Sequence, residues 1–150
     1  MKKLFLLIIF HGLLLTTFAQ DAMDKMMEKR ANEMHRVIGL SDKEQWKKFM
    51  KENYTKALID KPMKATIEKS ERDNTESSTQ VSSANNLEEK VKMFQQLHDD
   101  FGGSKILSIK PTGEKLEMVL ENKAGLKGTF HLRFEKKSPY LMDGLGIEVN

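Results

Sequence analysis

The hydrophobic period of this chain changes once, at Gly102-Gly103. Ahead of that pair apolar residues recur every three or four positions, the repeat of a helix with one buried stripe. Beyond it they alternate every second position, the repeat of a strand with one buried face. Helices first and strands last, in 150 residues, predict a single α+β domain.

Residues 22 to 38 carry the first helical stripe, Met23, Met27, Ala31, Met34 and Ile38, and Gly39 ends it. Ser41, with Glu44 three positions later, has the spacing of a capping box and predicts the start of a second helix. Trp46, Phe49 and Met50 form its buried side, and Lys47, Lys48 and Lys51 face water. It runs out around Glu52-Asn53-Tyr54, and Pro62 marks a further break. Residues 63 to 70 are weakly helical. From Glu71 to Asn86 the chain is rich in Ser, Thr and Asn, too poor in apolar side chains to offset its ordering entropy, and reads as a flexible loop.

The clearest helix is residues 87 to 100. Counting from Leu87, Val91 falls at about +40°, Phe94 at about −20°, Phe101 at about −40° and His98 at about +20°. Four strands follow, over 104 to 110, 115 to 121, 127 to 135 and 140 to 149, joined by short turns, so neighbours run antiparallel in a meander. Leu116, Met118 and Leu120 form an inner face with Phe130, Leu132 and Phe134. Glu117, Glu121, His131, Arg133 and Glu135 fall outside. The arrangement predicted is a curved four-stranded sheet with the helices packed in its concave side.

The first 19 residues stand apart. Lys2 and Lys3 precede an apolar run from Leu4, and Thr17-Phe18-Ala19 places small residues where an export signal is cleaved, before Gln20. His11-Gly12 and Thr16-Thr17 interrupt the run, which argues against a membrane anchor. The absence of cysteine suits an oxidising compartment and excludes thiol chemistry. The mature domain, 20 to 150, is therefore expected in the periplasm or outside the cell, with no membrane attachment after cleavage. Of the 25 basic residues Lys2 and Lys3 lie ahead of the cut, leaving 23 against 22 acidic ones. A net charge this small excludes a phosphate-gripping surface, so nucleic acid is not an expected partner.

Several stretches resemble one family. Phe49-Met50-Lys51-Glu52-Asn53-Tyr54 with Ala57-Leu58 is similar to the end of its early helix, and Leu97-His98-Asp99-Asp100-Phe101-Gly102-Gly103 resembles the end of its main helix. Pro139 to Glu148 looks like its last strand. The family is the nuclear transport factor two-like cone-fold domain found ahead of exported bacterial serine hydrolases of the beta-lactamase class. No serine hydrolase motif stands in this chain, so the resemblance implies a fold and an accessory role, not the hydrolase's activity. Its loop over 71 to 86 is longer than the family pattern.

Candidate chemistry is sparse. Met23, Met26, Met27, Met34 and His35 would suit cuprous ion, but three of these methionines lie on the core stripe, where methionine is a gap-filler. His131 and Arg133, with Glu117 within a rung across the hairpin, read as surface charge pairing. Asp99 and Asp100 point away from one another and match no zinc spacing. No metal, cofactor or catalytic residue is assigned. His98 lies in the apolar arc and is expected to point toward the sheet, near Met118, Phe130 or Phe134. It is a core histidine or one lining a cavity bounded by Trp46, Tyr54, His98, Met118, Phe130 and Phe134. The expected function is a non-enzymatic accessory or binding domain. It would present a sheet face or this apolar cavity to an exported protein or a small apolar ligand, and a homodimer through the sheet is a further expected association. The alternative is a small cone-fold enzyme, an isomerase or hydrolase, using His98 with Tyr54 as helper. A protease-inhibitor role lacks an inhibitory loop.

Protein recovered outside the cytoplasm should have an intact mass that begins at Gln20. Full-length chain held in the membrane fraction would make residues 4 to 18 an anchor.

Overall fold

The computed structural model describes residues 2 to 61 and 86 to 149, with side chains from Gln20 onward. The break at Pro62, the weak helix over 63 to 70 and the loop expected over 71 to 86 lie outside the described residues, except Asn86, which is the first residue of α4 and not part of the loop. Among the described residues four helices precede four strands: α1 Lys2–Ile38, α2 Lys43–Asn53, α3 Lys56–Asp60, α4 Asn86–Phe101, β1 Lys105–Thr112, β2 Lys115–Glu121, β3 Lys127–Phe134 and β4 Met142–Val149. The sheet is an antiparallel meander in the order β1-β2-β3-β4, curved and not closed, with the helices packed on one side. The protein is of the α+β class. Among the described residues no helix is long and apolar enough to cross a membrane.

The α1 stripe forms as its spacing predicts: Met23, Met27, Ala31, Met34 and Ile38 are buried, joined by Val37. The helical backbone extends further toward the amino terminus than the stripe, to Lys2. The start of α2 departs from expectation. Asp42, not Ser41, is the N-cap, and its carboxylate accepts from the backbone N–H groups of Glu44 (2.9 Å) and Gln45 (3.2 Å). A carboxylate there also meets the positive end of the helix dipole, which a serine hydroxyl does not. Trp46, Phe49 and Met50 are buried. Lys47, expected to face water, instead spans to α4 and pairs with both Glu44 (3.3 Å) and Glu88 (3.0 Å). The short α3 was not legible in the sequence: Thr55 caps it by accepting from Leu58 N–H, and one apolar anchor, Leu58, is too little periodicity to announce a helix.

β4 begins two residues later than its alternation suggests, because Tyr140 takes a positive φ of 54° and extended pairing resumes only at Met142. The faces divide as expected. Met118 lies opposite Phe130 and Leu116 opposite Leu132, all buried. Phe94, Leu97 and Phe101 are buried on α4, and the Phe101 ring meets Phe130 edge-on at 5.6 Å between centroids. Gly128, paired with Leu120, makes this approach possible: a Cβ there would stand 2.5 Å from Cζ of Phe101. Burying one such ring contributes about 1.5–3 kcal/mol.

Gly128→Val should therefore lower stability by about 1–3 kcal/mol, because Phe101 must leave its rotamer or α4 must lift off the sheet. Urea unfolding measures the loss. An unchanged midpoint would mean that Phe101 packs elsewhere.

Candidate functional site

α1 ends on two buried residues, Val37 and Ile38, whose carbonyls have no partner further along the helix, although Leu40 N–H turns back to that of Val37 at 3.1 Å. Two side chains serve them. Trp46 Nε1–H donates to the carbonyl of Val37 at 2.8 Å, and His98 Nδ1–H donates to that of Ile38 at 2.8 Å. The two rings lie 6.0 Å apart, tilted by 45°. His98 thus faces the corner between α1 and α2, not the sheet beside Met118, Phe130 or Phe134. Lys90 and Leu97, at about −60° and −80° on the wheel counted from Leu87, belong to the buried face of α4 and move its centre away from His98. A lysine does not register as apolar, so the arc drawn from Leu87, Val91, Phe94 and Phe101 was centred too far round. Gly102 makes the corner fit, since a Cβ there would stand 2.4 Å from the His98 carbonyl and 2.9 Å from Nδ1.

A carbonyl partner fixes the tautomer of a neutral His98 with its proton on Nδ1. Among the described residues no carboxylate orients the ring: Asp99 accepts instead from Gln95 Nε2, at 3.1 Å. With Nδ1–H committed to the end of α1, the lone pair of the neutral ring lies on Nε2, and the bond gives His98 structural work.

The other candidate residues do not open a mouth beside it. Trp46, Met118 and Phe130 are 0% exposed, Phe134 1% and Tyr54 2%, so all five sit in the continuous core. Tyr54 packs its ring edge-on to Phe49 at 5.9 Å, and its backbone bridges to Met142 of β4. Its buried hydroxyl has no hydrogen-bond partner among the described residues, and burial pushes the phenol well above its ordinary pKa. Arg30, on α1, holds the same region together: Nη1 donates to Asn53 Oδ1 and Nη2 to the Pro139 carbonyl at 2.8 Å. Burial holds its guanidinium below the usual arginine range.

Sequence reasoning missed Lys90. Its ammonium is buried and donates to the carbonyls of Ile59 (2.9 Å) and Lys61 (2.7 Å) at the end of α3. Burial lowers its pKa, opposed by the nearby charges of Glu89 and Asp60. Its wheel position among buried residues was the only signal available.

Among the described residues, no three His, Cys, Asp or Glu side chains gather as a metal site. His35 is not free for copper in the geometry observed: Nε2 donates to the Ser104 carbonyl at 3.0 Å and tethers α1 to the start of β1. On the outer sheet face Glu117 does lie opposite His131 in register. The charge contacts come from β4 instead. His131 reaches Glu148 at 3.4 Å and Arg133 reaches Asp143 at 2.7 Å.

No protein-family model, curated protein or solved structure matches this chain.

Tyr54→Phe removes a buried hydroxyl without a partner, so at neutral pH stability should hold or rise by up to about 1 kcal/mol. The folded phenol resists ionisation while the unfolded one ionises near its usual value of about 10. Folding stability is therefore fully present below that pH and falls as pH rises through it. The variant should lose less than the wild type above about pH 10. Urea melts at neutral and alkaline pH check both. A clear loss at neutral pH would show that the hydroxyl is bonded.

Proposed function

We propose that this chain is an exported, non-catalytic binding module of the nuclear transport factor two-like kind, and that it meets a protein partner through the outer face of its sheet. The observation that carries the reading is the division of the sheet. Its inner face is covered by helices: α1 packs on β1 and β2, α3 on β4, and Phe101 of α4 on Phe130. Its outer face, with Lys110, Glu117, His131 and Arg133, has no helix over it among the described residues. Side chains there pair only at the surface, as Arg133 does with Asp143, and such contacts rearrange at low cost. Mixed charge on an open face gives specificity and orientation to a protein partner.

The other readings draw less support. A small apolar ligand would need entry to the cluster of Trp46, Tyr54, Met118, Phe130 and Phe134, which is closed to solvent. An isomerase or hydrolase would use His98 with Tyr54 as helper, and His98 is turned to the end of α1 while the Tyr54 hydroxyl is buried in the core.

The test is capture of the exported partner by wild type and by variants of known stability. Lys110→Glu with Arg133→Glu should weaken capture by about tenfold or more without altering the circular dichroism spectrum. His98→Gln should lower stability and leave capture intact. Capture that ignores the charge reversals and fails on core substitutions would move the function to the interior.

A further inference from the structure

The two edges of the sheet are not alike. On β1, Pro111 has no N–H to offer, the register slips at Leu107 between Ile106 and Ser108, and Lys105 and Lys110 flank the strand. Proline, a bulge and lysines are the devices that stop an edge from pairing with another chain. β4 carries none of them after its first residues. Met142 is occupied, bridged by Tyr54 and accepting from Thr55 N–H at 2.8 Å. From Gly144 to Val149, no backbone group pairs across the far edge among the described residues.

We propose that this segment of β4 pairs antiparallel with the same segment of a second copy of the chain, about a two-fold axis at Ile147. Residues opposite one another in an antiparallel pair share a face, so only registers that keep inner residues against inner ones are open. With Ile147 on the axis, Leu145 meets Val149 of the second copy and Ile147 meets itself. Leu145 and Ile147 already pack against the core, and Val149, 55% exposed, gains apolar cover. On the outer face Glu148 of the second copy falls opposite Gly146. That glycine has no side chain, and it pairs within the sheet with His131, whose Cβ lies 3.8 Å from where a Gly146 Cβ would stand. The incoming carboxylate therefore reaches His131, the ring that Glu148 of its own chain already approaches at 3.4 Å. Acid meets base twice, once on each side of the axis. Centring the pair on Gly146 instead would set the apolar Val149 against the charged Asp143, beside Met142, which Tyr54 already bridges.

A six-residue edge buries far less than the roughly 1,600 Å² of a standard interface, so the dimer should be weak and concentration-dependent. It leaves the outer face open, so it does not depend on the partner reading above.

Sedimentation of the purified chain should show a mass rising toward twice that of the monomer with concentration. Val149→Lys should keep the fold and hold the protein monomeric. The chain has no cysteine, so single replacements report position cleanly. Oxidised Ile147→Cys should give a covalent dimer, because the residue faces itself at disulfide distance, while Leu107→Cys and Val119→Cys should not. A chain that stays monomeric at every concentration overturns the proposal. So does a dimer that ignores Val149→Lys, or one that cross-links through Leu107 or Val119.

Discussion

Most of the helical layer hangs on the buried end of α1. A helix that ends on buried residues leaves carbonyls with no partner further along it, and a buried one left unpaired costs on the order of 1–3 kcal/mol. Trp46 from α2 and His98 from α4 donate to two successive carbonyls, those of Val37 and Ile38. Each bond joins a different helix to α1, so the corner fixes three helices at once. The apolar stripes could slide on one another at modest cost. The two bonds cannot, because their donors have one place to go. Gly102 follows from the same constraint, since α4 must end against the histidine without a Cβ in the way.

The same logic explains the polar groups inside. Lys90 is tolerable where it is because its ammonium serves the carbonyls at the end of α3, a helix too short to be stable alone. Arg30 serves Asn53 and Pro139 and ties α1 to the turn ahead of β4. His35 serves Ser104. In each case a long or ring-bearing polar side chain joins elements distant in sequence. These groups resemble site residues by type, and their hydrogen bonds give them structural work. That is why the functional reading moves from the interior to the sheet surface.

The sheet has two faces and two edges, and they have different physical fates. The inner face is consumed by the helices. The edge at β1 is guarded by Pro111 and a bulge, while among the described residues β4 is guarded where Tyr54 bridges Met142. What remains exposed is mixed charge over β2 and β3 and an alternating apolar edge along β4.

The amino-acid sequence by itself determined the class of fold, because burial periodicity is a local property. The methionine stripe of α1, the alternation of Leu116, Met118 and Leu120, and the stop at Gly102-Gly103 are each read within a few residues of the chain. Strand order followed, since short turns leave an antiparallel meander as the simple outcome. Tertiary structure alone decided the partners of polar side chains. His98 was placed in the right layer and turned the wrong way, because the face of α4 includes Lys90, whose burial depends on carbonyls some thirty residues earlier in the chain. Trp46, Tyr54, Met118, Phe130 and Phe134 are buried in one core, and His98 is turned away from them toward the end of α1, an orientation that depends on a carbonyl sixty residues earlier. Asp42 rather than Ser41 caps α2, and α3 exists, for reasons of backbone geometry that weak local signals do not carry. Periodicity says which residues go inside; only the assembled molecule says what each of them meets there.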